Sequence, residues 1–468
     1  KLQSKFIAMR VFTLLLVSFI YVGSIINAQP SLTTQKSFGG GGFDQSVSLK
    51  KSLDGGFLIG ATSVSNISGE KSENGFGAED FWLIKTDNTG SKIFDKTYGG
   101  TGVDQIRTIV ELATGEWLIC GTSFSPISGN KTAPQWGNAD FWVVKTDATG
   151  NIVWNKTYGG NAYDELYGAV ISADGNIFLG GGTYSDVSGN KTSAIIGNID
   201  YWLVKINLDG DMLWDKTYGT TKFDFMLDLI ATPDGGAVLG GQSDGNAELD
   251  KSQNCRGLVD CWMLKVNATG GKDWDKTMGG NANDQFQKMA ITPDGGIVVA
   301  ASSESNASGN KTENSRGRWD VWAFKLNASG TTAWNKTMGG SSDDFSTSIA
   351  IIPNGNILIA GYSSSEISGE KTESCRGEYD YWLLQLQQNG SLVWDKTVGG
   401  TRNDYGTNVL ALSNSQFIIA GTSSSGKTAD KLTVSRGSVD VWTTLLIESP
   451  SKNIESIPKQ TATVTAEY

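Results

Sequence analysis

Aspartate recurs in this chain at a spacing that invites a chemical reading. Asp44, Asp104, Asp164, Asp224, Asp284, Asp344 and Asp404 stand 60 residues apart, and a ring of carboxylates near a common axis could hold a cation or serve as general acid and base. A second series, Asp80, Asp140, Asp200, Asp260, Asp320, Asp380 and Asp440, keeps the same period. So do Trp82, Trp142, Trp202, Trp262, Trp322, Trp382 and Trp442, whose indoles could stack on sugars. Chemistry needs one asymmetric site, whereas repeated units all need the same joint. The repetition therefore favours a structural role: carboxylates that accept backbone N–H groups in glycine turns, or that pair with the equally recurrent Lys71, Lys131, Lys191, Lys251, Lys311, Lys371 and Lys431, and tryptophans that fill a core.

The chain has no histidine, which removes Ser/His/Asp and Cys/His catalysis and histidine-ligated metals. Carboxylate-only chemistry, as in glycoside hydrolysis, stays open, but no acid pair is singled out. Gly421 to Thr428 matches the phosphate-loop pattern GxxxxGK[ST], which works when it joins a strand to a helix. Here it lies between two strands and corresponds to the Ser-Gly-Asn-Lys-Thr loops at Ser128, Ser188 and Ser308. No cofactor is expected, and calcium dependence is left open.

Positions that break the repeat are more informative. The residue before the long-loop glycine is Phe76, Trp136 and Ile196 in three units and Arg256, Arg316, Arg376 and Arg436 in the other four. An apolar arc beside a basic arc could grip an acidic or sugar partner; the alternative is that these arginines pair with nearby aspartates. Trp319, unmatched in other units, could join that rim or simply pack there.

The elements that position these residues follow from the period. Lys36, Lys96, Lys156, Lys216, Lys276, Lys336 and Lys396 are also 60 apart, so one supersecondary unit repeats with every loop the same length. Each unit reads as four strands, for example Asp104 to Leu112, Trp117 to Gly121, Asp140 to Lys145 and Asn151 to Tyr158. Pairs such as Asp54-Gly55 and Asn354-Gly355 mark tight hairpins. Inner strands such as Phe57 to Ala61 and Phe81 to Lys85 are apolar at consecutive positions, so both faces are covered. Four-stranded antiparallel sheets packed face to face round an axis meet that demand. This predicts an all-β, seven-bladed β-propeller with a 60-residue repeat. The chain enters with a spare fourth strand, Ser31 to Phe38, and the last unit stops after a third strand, Asp440 to Ile447. The spare strand is expected to complete the last blade and close the ring.

The glycine pair, the Asp-Gly turn, Gly-Thr-Ser, Asp-Phe-Trp and the Gly before Trp together resemble the bacterial beta-propeller repeat family called SBBP, and are similar to delta-60 repeats. The resemblance covers residues 31–447. It implies a secreted or surface-exposed propeller of the kind found in Bacteroidota, often part of a larger modular protein, and implies no single activity.

Met9 and Arg10 precede an apolar run from Val11 to Val22 and a small-residue end at Ala28, read as a secretory signal peptide over residues 1–28; the run is short of the ~20 residues a spanning helix wants. Residues 29–449 are assigned to the propeller and residues 450–468 to a linker or truncated tail. A formal charge of −11 argues against nucleic acid and anionic membranes as partners. Four cysteines are few for an exported protein, and the expectation is free thiols. The expected function is a monomeric, exported module that binds a protein or carbohydrate ligand through its long-loop face, with a carbohydrate-active enzyme using carboxylates near the axis as the alternative.

Overall fold

A computed structural model describes residues 29–448; the signal-peptide assignment and the tail beyond residue 448 fall outside them. Twenty-eight strands, β1 (Ser31–Phe38) to β28 (Asp440–Ile447), form seven four-stranded antiparallel sheets. Blades 1 to 6 each take four consecutive strands. Their innermost strands are Asp44–Lys51, Asp104–Glu111, Asp164–Ile171, Asp224–Ala231, Asp284–Ile291 and Asp344–Ile351. Blade 7 combines β26 (Asp404–Ala411), β27 (Gln416–Ser423) and β28 with β1, paired from Ser31↔Ile447 to Phe38↔Val441. The N-terminal strand thus covers the edge that the last unit would otherwise leave open.

Alternation within Asp-Phe-Trp and its variants builds the joints. Neighbouring residues of a strand point to opposite faces, so Trp142 meets the preceding blade while Phe141 meets the following one. Ring centroids lie 4.8 Å apart for Phe81 with Trp142, 4.8 Å for Phe141 with Trp202, 4.7 Å for Tyr201 with Trp262 and 4.9 Å for Tyr381 with Trp442. Cys261 with Trp322, Val321 with Trp382 and Val441 with Trp82 complete the circuit. All seven tryptophans are buried.

The long loops and the connections between blades emerge on one face and the tight hairpins on the other. Every innermost strand carries a one-residue bulge, between Ser46 and Ser48, Ile106 and Thr108, Leu166 and Gly168, Met226 and Asp228, Phe286 and Lys288, Ser346 and Ser348, and Gly406 and Asn408. A bulge re-aims the extra side chain. Among the bulged residues, Val47, Arg107, Tyr167, Leu227, Gln287, Thr347 and Thr407 line the channel or its mouth.

Candidate ligand site at the mouth of the ring

The repeated carboxylates lie in the joints between blades. Asp44 is fully buried; its Oδ2 accepts from Gly40 N at 2.7 Å and Ser65 Oγ at 2.9 Å, and its Oδ1 from Ser63 Oγ at 2.5 Å. Asp104, Asp164, Asp224, Asp284, Asp344 and Asp404 take the backbone N–H of the corresponding turn at 2.6 to 2.7 Å. The Asp80 series caps the long loops: Oδ2 of Asp80, Asp140 and Asp200 accepts from the N–H of Phe76, Trp136 and Ile196 at 2.8, 2.7 and 2.6 Å. The recurrent lysines are buried too and turn to hydroxyls and carbonyls, as Lys131 does to Ser125 O at 2.6 Å and Lys311 to Ser305 O at 2.6 Å.

Each joint brings two carboxyls together. Burial raises Asp140 to about 7, opposed by the Trp136 N–H and reinforced by the charge of Asp164. Asp80, Asp200, Asp260, Asp320 and Asp380 are raised to about 6 for the same reasons, burial foremost. These groups are sealed in the joints, away from any substrate path. Among the described residues no three Cys, Asp or Glu side chains converge as metal ligands.

The position before the loop glycine forms an outer clasp. Phe76 covers Gly129 of the next blade and Trp136 covers Gly189; a Cβ on either glycine would stand 2.9 to 3.0 Å from the ring. Arg316 reaches Glu370 at 2.6 Å, Arg376 reaches Asp430 at 2.7 Å and Arg436 reaches Glu70 at 2.5 Å, each on the following blade. Arg256 donates to Thr277 O at 3.1 Å. Phe76 and Trp136 keep 41% and 43% of their surface exposed. Trp319 is buried at 8% and packs on Phe345, 5.6 Å between centroids. The loop from Gly421 leads into β28 rather than a helix. All four cysteines are free thiols; Cys255 donates to Ser243 O at 3.0 Å.

Trp319 belongs to an aromatic group at the channel mouth. Phe345 lies 5.2 Å from Tyr362, and Tyr362 meets Tyr405 edge-on at 4.9 Å and Tyr379 at 5.5 Å. Beside them opens a cavity of about 460 Å³ lined by Tyr362, Tyr405, Asn403, Thr407, Ser424 and Phe43, among others. The hydroxyls of Tyr362, Tyr379 and Tyr405 carry no protein hydrogen bond among the described residues, while Asn403 Oδ1 and Asp343 Oδ1 are buried without a partner. Burial pushes Tyr362 up to about 12, so its hydroxyl stays protonated and can donate.

Sequence reasoning did not single out these tyrosines. The signal was present in the repeat: where blade 6 has Tyr362, other units carry Thr62, Thr122, Gly182, Gln242, Ser302 and Thr422, and where it has Tyr379 they carry Glu79, Ala139, Ile199, Val259, Trp319 and Val439. Tyr362 is aromatic in this unit alone, while the Tyr379 position is also aromatic at Trp319 and the Tyr405 position at Phe225 and Phe345.

No family model matches the chain. It is similar to the Regulatory protein FlaEY of Caulobacter vibrioides, 23% identical over 397 residues that take in 77% of this chain and 41% of that protein. The chain thus spans about two fifths of that relative's length. Among solved structures it is similar to the WD40 beta propeller domain of Doa1, at 12% identity and a TM-score of 0.47 over 91% of this chain and 98% of that one. It is also similar to Kuenenia stuttgartiensis hydrazine synthase, at 14% identity and 0.47 over 80% and 92%. At those scores neither likeness bears on function.

Proposed function

We propose that the protein is a non-catalytic binding module that takes a carbohydrate at the mouth of its ring. The observation that carries this reading is the tyrosine arc of Tyr362, Tyr379 and Tyr405. Its flat apolar rings suit the C–H faces of a sugar and its unpaired hydroxyls suit the sugar's own hydroxyls, with Asn403 on the cavity wall supplying an acceptor. Sealing of both repeated aspartate series in the joints supports binding over hydrolysis, which needs two accessible carboxyls roughly 5 to 10 Å apart. The naming of a similar protein as regulatory fits a non-catalytic role.

A protein partner is the second reading. Ile67, Ile127, Val187 and Ile367 occupy one position of the long loops and are 58 to 64% exposed, an apolar fringe of the sort that marks contact surfaces. Export to the cell surface or beyond, with the ring acting as a monomer, belongs to the same proposal and rests on the signal-like N-terminus. Among the described residues no helix is long and apolar enough to cross a membrane.

The test is a glycan array probed with wild-type protein and with Tyr405→Ala. A hit that weakens at least tenfold in the variant supports the carbohydrate reading. Silence across the array, or a hit indifferent to Tyr405, overturns it in favour of a protein partner.

A further inference from the structure

Below the mouth, the lumen is defined by the seven innermost strands, and its lining is not symmetric. At the level of Lys50 the other blades place Val110, Val170, Ile230, Ala290, Ala350 and Leu410, an apolar ring with one cation in it. Lys50 has no hydrogen-bond or ion-pair partner among the described residues. Its side chain is exposed to the lumen, and the protein walls around it, with the neighbouring charge of Lys288, push its pKa down against the opposing pull of Asp228.

Asp228 does not neutralise Lys50. One of its oxygens pairs with Lys288 Nζ at 3.0 Å and the other accepts from Met289 N at 2.9 Å. Arg107, aimed inward by the bulge in its strand, lies over the Tyr167 ring at 4.7 Å. Its Nε is buried without a partner, and its one protein hydrogen bond here is a long one, 3.4 Å to Gln105 Oε1. The carboxylates nearer the mouth lie outside this chamber and form no ion pair with its cations: Glu79 accepts from Gln105 Nε2 at 2.8 Å and Glu165 from the Tyr167 hydroxyl at 3.1 Å. Lys50, Arg107, Lys288 and Asp228 line one chamber of about 300 Å³, leaving three cations against one anion in a chain whose formal charge is −11.

Unpaired cations in a confined lumen are costly unless something pairs them, and low-dielectric walls focus their field on whatever enters. We propose that this throat is a binding site for an oxyanion, a carboxylate or phosphate group held between Lys50, Arg107 and Lys288. The planar guanidinium, already stacked on Tyr167, offers paired donors to such a group, and Lys50 supplies the charge that nothing in the protein balances. The site stands apart from the tyrosine arc and does not depend on it. An acidic sugar and a free inorganic anion share the chemistry that would be recognised.

Calorimetric titration of the full chain at low salt with inorganic phosphate, sulfate, glucuronate and glucose tests this. One oxyanion is expected to bind with a stoichiometry of one while glucose does not. Lys50→Met should weaken that binding at least tenfold and Lys50→Arg should largely preserve it. Because the Lys50 ammonium makes no hydrogen bond or ion pair among the described residues, Lys50→Met is expected to fold, which a thermal melt checks; Arg107→Gln gives a second, independent loss. Preference for glucuronate identifies a sugar acid, and preference for phosphate an inorganic or phosphorylated ligand. Absence of binding by all three anions, several weak sites per chain, or equal affinity in Lys50→Met overturns the proposal. Phosphate binding unchanged in Tyr405→Ala alongside a silent glycan array would retain the throat site and reject the carbohydrate reading.

Discussion

At the scale of single residues, the repeated aspartates make the ring sensitive to acid and base. Asp140, raised to about 7, and its equivalents at about 6 hold their protons more tightly folded than unfolded. For such acids the stabilisation is fully present below the unfolded value near 4 and is lost as pH rises through the folded value. Asp234 and Asp294 act oppositely: pairing with Lys265 and Lys325, the leading cause in each, holds them at about 2, and their contribution is lost as pH falls through that range. The thermal midpoint is therefore expected to be higher at about pH 5 than at about pH 7, below the range where Lys311, lowered to about 8 by burial, begins to titrate. Asp140→Asn, which mimics the protonated acid, should flatten part of that dependence; a midpoint that rises from pH 5 to 7 would contradict it. The aspartates themselves were legible as joint residues from their repetition. Tyr362, Tyr379 and Tyr405 were not, because nothing local in the sequence distinguishes a surface tyrosine from a packed one. Comparison of the units pointed instead to Phe76, Trp136 and the four arginines, which the structure places against the turn of the neighbouring blade.

At the scale of elements, the 60-residue period, consecutive apolar runs and turn chemistry were sufficient to place the strands. The predicted Ser31 to Phe38 and Asp440 to Ile447 are the strands observed, since a lone fourth strand and a missing one leave a single way to close the ring. The bulge in each innermost strand was not legible: an extra residue in an apolar strand leaves no mark in composition, yet it turns Arg107 and Tyr167 into the lumen. Closure also carries a small imperfection. In the other blades the buried indole donates to a fourth-strand Asp or Asn, as Trp82 does to Asp95 at 2.9 Å and Trp382 to Asp395 at 3.1 Å. In blade 7 the matching residue is Gln35, which bonds Asp430 O at 2.6 Å and Leu432 N at 2.9 Å, and Trp442 Nε1 is left without a partner. Gln35→Asn, which copies Asn155 of blade 2, where one amide takes the Trp142 indole at 3.3 Å and donates to Asn130 O at 3.4 Å, should supply that acceptor and stabilise the fold by about 1 kcal/mol, the usual net worth of a buried hydrogen bond. Denaturant unfolding measures it, and a loss of stability would contradict it.

At the scale of the whole molecule, seven similar joints close the described residues into a ring, and the departures from the repeat argued above lie on one face and in the throat. The aromatic arc spans blades 5 to 7, and the throat cations project from blades 1, 2 and 5, of which Lys50 and Arg107 have no carboxylate partner among the described residues while Lys288 pairs with Asp228. Hydroxyl-radical footprinting with a ligand selected on the array addresses the claim that function sits at the mouth. Protection of Tyr362, Tyr379 and Tyr405, with Phe76 and Trp136 as reactive as in the free protein, is the expected result. Protection confined to Phe76 and Trp136 on the outer clasp, with the three tyrosines unchanged, would contradict it.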